Sequence, residues 1–302
     1  MPTLGCVHLT EHEWRARTAA HEARVDALVG PHLERRRAGR SHPVQDFLFT
    51  YYSFRPAHLR RWHPGAGVVL AGDPPHAGWR GYTTTTDGVA VGPDEVRRRA
   101  ETVAWVRDLL AATASRPAFT GCFGLHEWAM VYRTSQQEVR HDSWPLRLGH
   151  DGTDAVVESQ QIRCSHYDAY RFFTPAARPR NSLTPTRERQ RRFEQPGCLH
   201  TNMDLYKWAY KLVPLVPSEL LADAFELARD IRELDMRASP YDLSELGYTP
   251  VRIETREGKA EYVAAQRAFA DRAAGLRSRL LQEIGGLADP PDTPDRRTLR
   301  RP

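Results

Sequence analysis

The stretch LHTNMDLYKWAYKLVPLVPSELLADAFELARDIRELDMR, residues 199–237, decides the fold. Its apolar residues recur at steps of three and four, the repeat of one helix face. Leu205, Trp208 and Leu212 form the first stripe, and Pro214 ends that helix because its ring removes a backbone donor. Leu220, Ala224, Leu227, Ile231 and Leu234 form the second. Thr201 and Ser218 are read as the N-caps, since a hydroxyl can accept from the free N–H groups of a first turn.

The same period recurs on both sides. Thr10 and Glu13 make a capping-box pattern, opening a helix that runs to about Arg37. Its stripe is Trp14, Thr18, His21, Val25, Leu28 and His32, and Gly30-Pro31 should kink or break it. The two histidines read as partly buried and hydrogen-bonded. Residues 42–63 predict a short helix across the aromatic run Phe47–Phe54 and, after Pro56, a second one. Residues 64–92 are rich in Gly, Pro and Thr and predict a small β-hairpin or large loop. Pro93 starts a helix to about Ser115, and a further helix is expected over 118–132. Residues 134–165 look irregular, with one strand candidate at 155–162. The stretch 176–197, AARPRNSLTPTRERQRRFEQPG, reads as a surface loop or lid. Val251, Ile253 and Thr255 alternate as a possible strand, and a last helix covers about 259–284. The expectation is one mainly α domain over 1–287, with six or seven helices, a small hairpin, long loops and a disordered tail at 288–302. No internal repeat is present.

Composition agrees with a globular chain. Of 302 residues, 40% are hydrophobic and 27% charged, which excludes collagen-like and wholly disordered classes. No apolar run is long enough to span a bilayer, so no membrane partner is expected. Cys6, Cys122, Cys164 and Cys198 form no CxxC pair, and the N-terminus lacks the basic and apolar regions of a signal peptide. These features predict a cytoplasmic protein with reduced thiols. Oligomeric state is not encoded in any pattern here.

The net charge is +5, and only three of the 43 basic residues are lysines: Lys207, Lys211 and Lys259. Arginine forks suit phosphate and carboxylate, but a GC-rich genome gives the same bias. Arg178–Arg192 holds six arginines against Glu188 alone, a local excess equal to that of the whole chain. A DNA partner would therefore meet this loop and the Arg-rich tail.

Familiar catalytic motifs are missing. There is no GxGxxG, Walker A loop, GxSxG or HExxH. His166, Asp168 and His200 fit the two-histidine, one-carboxylate pattern formally, and His126 could join them. That set would make a metal-dependent oxygenase or hydrolase holding iron or another divalent metal. The carboxylates have a second use, because cleavage of an N-glycosidic bond passes through an oxocarbenium-like state that a carboxylate stabilises. Asp168, Asp46, Glu127 and His166 are the candidates for that chemistry. Tyr51, Tyr52, Trp62, Tyr167 and Tyr170 could stack on an extruded base, and Arg60, Arg163 and Arg171 could hold phosphates. The competing reading makes these aromatics core and these arginines solvated surface. DMRASPYDL (235–243) reads as a helix-to-loop junction in which Asp242 caps a turn.

Four segments together, HPVQDFLFTYYSFRPAHLRRWHPG (42–65), GLHEWAMVYR (124–133), SHYDAYRFFTP (165–175) and LHTNMDLYKWAYKLVP (199–214), carry a family resemblance. The chain resembles, over about residues 9–285, an actinobacterial family commonly described as 3-methyladenine DNA glycosylases. The resemblance implies an N-glycosylase that releases alkylated purines from DNA without a cofactor. The chain has no LPGVG-type helix-hairpin-helix loop followed by an Asp, and no alkyladenine-type pattern, so no catalytic residue is carried over from those superfamilies. The remaining alternative is a nucleic-acid-binding protein with no catalysis.

Overall fold

The computed structural model describes residues 7–135 and 143–287. The predicted tail at 288–302 and Cys6 lie outside the described residues. The chain is mainly helical, with helices α1 (Glu11–Arg37), α2 (Phe47–Tyr51), α3 (Pro56–Arg60), α4 (Pro93–Ala114), α5 (Leu125–Ala129), α6 (Gly149–Ser159), α7 (Tyr167–Tyr170), α8 (Gln190–Phe193), α9 (Leu199–Leu212), α10 (Ser218–Arg237) and α11 (Arg256–Gly285). Four short strands, β1 (Val7–Leu9), β2 (Val68–Leu70), β3 (Tyr82–Thr85) and β4 (Gly88–Val91), form one sheet in the order β1-β2-β4-β3. The pair β1–β2 is parallel and the others antiparallel.

Helices α9 and α10 are the centre. Leu205, Leu212, Leu220, Leu227 and Ile231 are fully buried between them, α11 and α4. Each such side chain contributes about 1.5–3 kcal/mol by leaving water. Helix α11 lays Tyr262, Ala273, Leu280 and Ile284 on this pair. Residues from both ends of the chain thus share one core. Among the described residues no helix is long and apolar enough to cross a membrane.

Several boundaries differ from expectation for local reasons. Helix α1 begins with the capping box and runs through Pro31 without ending. His21 and His32 on its stripe bond Leu59 O and Asp46, so both are satisfied structural histidines. Neither Thr201 nor Ser218 is an N-cap: Cys198 and Pro217 hold those positions. The Ser218 hydroxyl instead accepts from His63 N and donates to Arg61 O, tying the chain after α3 to α10.

The helix expected over 118–132 shrinks to α5, because Phe123 (φ 48°) and Gly124 (φ 71°) are both left-handed and interrupt it. The strand expected at 155–162 is mostly α6, which buries Thr153, Val156 and Val157. Val251 and Ile253 are buried without forming a strand, and Thr255 caps α11 by accepting from Gly258 N. The stretch 176–197 is no loose flap. Asn181, Gln190 and Glu194 are buried in it, and Asn181 clamps Cys164 through both its backbone N–H and carbonyl.

Candidate functional site

An open cleft of about 830 Å³ lies between α2, α4, α7, α8 and α9. That volume is typical of small-molecule sites. Five sequence candidates, Tyr51, Tyr52, Tyr167, Asp168 and Arg171, line it. Trp105 from α4 and Trp208 from α9 add an aromatic wall, with ring centroids 4.9 Å apart. Lys207, Lys211 and Arg187 supply positive charge, and Arg187 lies over the Tyr167 ring at 5.7 Å.

Asp168 reaches the cleft from the first turn of α7. Lys207 Nζ donates to its Oδ2 at 3.2 Å, and Arg171 Nε lies 3.2 Å from its Oδ1. Lys207 also donates to Asp204 Oδ2 at 2.7 Å. Behind it, Asp204 accepts from the Tyr52 hydroxyl at 2.8 Å and from His166 Nε2 at 3.2 Å. His166 Nε2 stands 3.6 Å from Glu194. One carboxylate in the cleft is thereby held by a buried, hydrogen-bonded network.

The electrostatics follow from burial and pairing. Burial alone would raise the Asp204 carboxyl, but Lys207 and His166 outweigh it and hold it well below the usual carboxylate range. Burial opposes the charge on Lys207, yet Asp204 and Asp168 raise its pKa. Burial, with Asp204 and Asp168 nearby, pushes Tyr51 up to about 12, so it stays a neutral phenol.

A second buried network lies deeper. His126 Nε2 donates to Asp235 Oδ1 at 2.8 Å. Arg232 Nη1 donates to Asp235 Oδ2 at 3.2 Å and to Glu127 Oε1 at 3.1 Å. The Arg232 guanidinium packs over Phe47 at 3.9 Å. His200 sits between the networks, its ring 4.4 Å from His126 and 5.4 Å from His166.

This geometry corrects the metal set read from sequence. His126, His166 and His200 do converge, but Asp168, which shares a small cavity with His200, is in neither group of ligand atoms that come together. One ligand atom each from His126, His200 and Asp235 lie within 4.8 Å of one another, and so do those of His166, Glu194 and Asp204. The carboxylates come from the residue after α8, from α9 and from α10. No spacing rule links Asp235 to His126, 109 residues away.

Other candidates are held elsewhere. Asp46 accepts from His32, Arg35 and the backbone of His42, which fixes the turn into α2, away from the cleft. Trp62 is core and donates to Glu219. Tyr170 packs on Phe173. Arg60 pairs with Glu22 and Asp26 on the surface. Arg163 lies over Phe119 at 4.8 Å and lines smaller cavities. Asp242 caps the turn at Ser244, as its position suggested. Of the six arginines in 178–192, Arg187 alone lines the cleft; Arg180 lies 3.7 Å from Glu158 and Arg191 3.2 Å from Asp108.

Lys207, Trp105 and Trp208 were not singled out from sequence for function. The one available signal was Lys207 itself, a rare lysine three residues after Asp204 on α9. Comparison with family models, with curated proteins and with solved structures returns no match to this chain.

Proposed function

We propose that the chain is a nucleobase-handling DNA repair enzyme, an N-glycosylase that releases alkylated purines such as 3-methyladenine. The observation that carries the reading is the meeting of Asp168 with Tyr51, Tyr167, Trp105 and Trp208 in one cleft of about 830 Å³. Such a volume accommodates a flipped base and its sugar. The aromatic faces would stack on the base, and a cationic base is favoured there. Arg171, Arg187 and Lys211 would meet flanking phosphates.

The chemistry asks little of the protein. As the glycosidic bond breaks, its electron pair goes to the departing base and cancels that base's positive charge. The sugar becomes oxocarbenium-like, and the Asp168 carboxylate stabilises it. Water then adds to the sugar carbon and gives up a proton to Asp168 or solvent. Lys207 and Arg171 are positioning residues that hold the carboxylate in place. Glu127 and His166 are buried behind the cleft and do not line it. The reaction as proposed needs no cofactor and belongs in the cytoplasm.

The test is base release from methylated duplex DNA by purified protein. Release that falls about 100-fold or more in Asp168→Asn, with folding retained, is the expected result. Salt-dependent binding with no release from any alkylated duplex would instead make this a nucleic-acid-binding protein without catalysis.

A further inference from the structure

In the deeper network Arg232 Nε has no hydrogen-bond partner, and neither ring nitrogen of His200 is bonded by a neighbour. His200 is about nine-tenths buried, yet its imidazole makes no hydrogen bond to any described residue. Its contacts are the perpendicular His126 ring and the stacked His166 ring. Burying a polar ring without a partner costs free energy, so such a group asks for a ligand. A ring nitrogen of His200 lies within 4.8 Å of ligand atoms of both His126 and Asp235.

The surroundings discriminate between the two convergent sets. In the set of His166, Glu194 and Asp204, the Lys207 ammonium already occupies Asp204 Oδ2 at 2.7 Å, the oxygen that also meets His166. The ligand oxygen of that set is thus already taken by a cation. In the other set, Arg232 holds Asp235 through Oδ2 and leaves Oδ1 to His126. Arg232 is in turn held by Glu127, an outer-shell arrangement of the kind that orients a ligating carboxylate. Cys122 Sγ lies 3.9 Å from His126 Nδ1, so Nε2 is the nitrogen turned to the site.

We propose that His126, His200 and Asp235 bind a divalent first-row transition metal through two imidazoles and one carboxylate, leaving positions open for water or a ligand. On binding, the proton that His126 shares with Asp235 is released to solvent as the nitrogen and oxygen turn to the ion. A cavity of about 20 Å³ beside His200 is lined by Tyr51 and Asp168, which also line the cleft. It is large enough for a single water. The site is independent of the glycosidic chemistry, because Asp168 is not among its ligands.

The experiment titrates metal-stripped full-length protein with Co²⁺, reading visible d–d bands, and with Zn²⁺ by equilibrium dialysis and elemental analysis. One equivalent of each is expected, with a rise in melting temperature. In His200→Ala and in the bulkier His200→Gln, both the cobalt bands and the thermal shift should vanish, while Asp168→Asn keeps them. Binding far below one equivalent overturns the proposal. So does full binding in both folded His200 variants, or binding lost in Glu194→Gln and kept in His200→Ala, which would place the ion on the other set.

Discussion

Lys207 Nζ lies 2.7 Å from Asp204 and, on its other side, 3.2 Å from Asp168. One ammonium thus couples a fully buried carboxylate to one that faces the cleft. Asp204 could not keep its charge cheaply without it, because a poorly paired buried carboxylate is costly. Lys207→Met should therefore lower stability by about 3 kcal/mol. Urea unfolding with the slope held constant checks the figure. A change under about 1 kcal/mol would mean that His166 and Tyr52 suffice for Asp204.

His63 should make the fold sensitive to mild acid. Burial, with His76 and Arg61 nearby, pushes its pKa down to about 3. Between that value and the ordinary 6.5, the unfolded chain takes up a proton that the folded chain does not. Stability must then fall as pH is lowered through this window, by up to about 1.4 kcal/mol per pH unit from this group. Unfolding curves at stepped pH should show His63→Gln with a shallower decline than the parent chain.

Arg187 tests the cleft as a phosphate-binding surface. If it neutralises a phosphate there, Arg187→Ala should reduce the slope of log affinity against log salt by about 0.9 on duplex DNA. Arg60→Ala, in an ion-paired surface patch that does not line the cleft, should leave the slope unchanged. Fluorescence anisotropy across a salt series measures both. Equal slopes for the parent chain and Arg187→Ala would remove this residue from the interface.

Two glycines of α11 should respond in opposite directions to alanine. A Cβ on Gly258 would sit 2.0 Å from the Arg252 carbonyl oxygen, within the loop that caps the helix. Gly258→Ala should cost about 1–3 kcal/mol through that overlap. Gly275 has nothing within 4 Å of its would-be Cβ, so Gly275→Ala should stabilise by about 0.5–1 kcal/mol. Melting temperatures of the two variants decide the matter.

The long helices were legible because their stripes are local. Leu205, Trp208 and Leu212 announce α9 whatever else the chain does, and Thr10 with Glu13 opens α1 by contacts three residues apart. Tyr51, Tyr52, Tyr167, Asp168 and Arg171 could likewise be picked out by type and aromatic context. Their meeting in one cleft could not, since that depends on how α2 and α7 dock against α9. The partners of the histidines were hidden for the same reason. Asp235 reaches His126 only because α10 docks against α5, and Asp204 reaches His166 only because α9 docks against the start of α7, across 109 and 38 residues of chain. Periodicity and capping act over one or two turns, so sequence alone determined a mainly helical protein and its main elements. Burial of charge is a property of packing, so only the tertiary structure decided which carboxylate faces solvent, which lies beneath it, and which histidine is left without a partner.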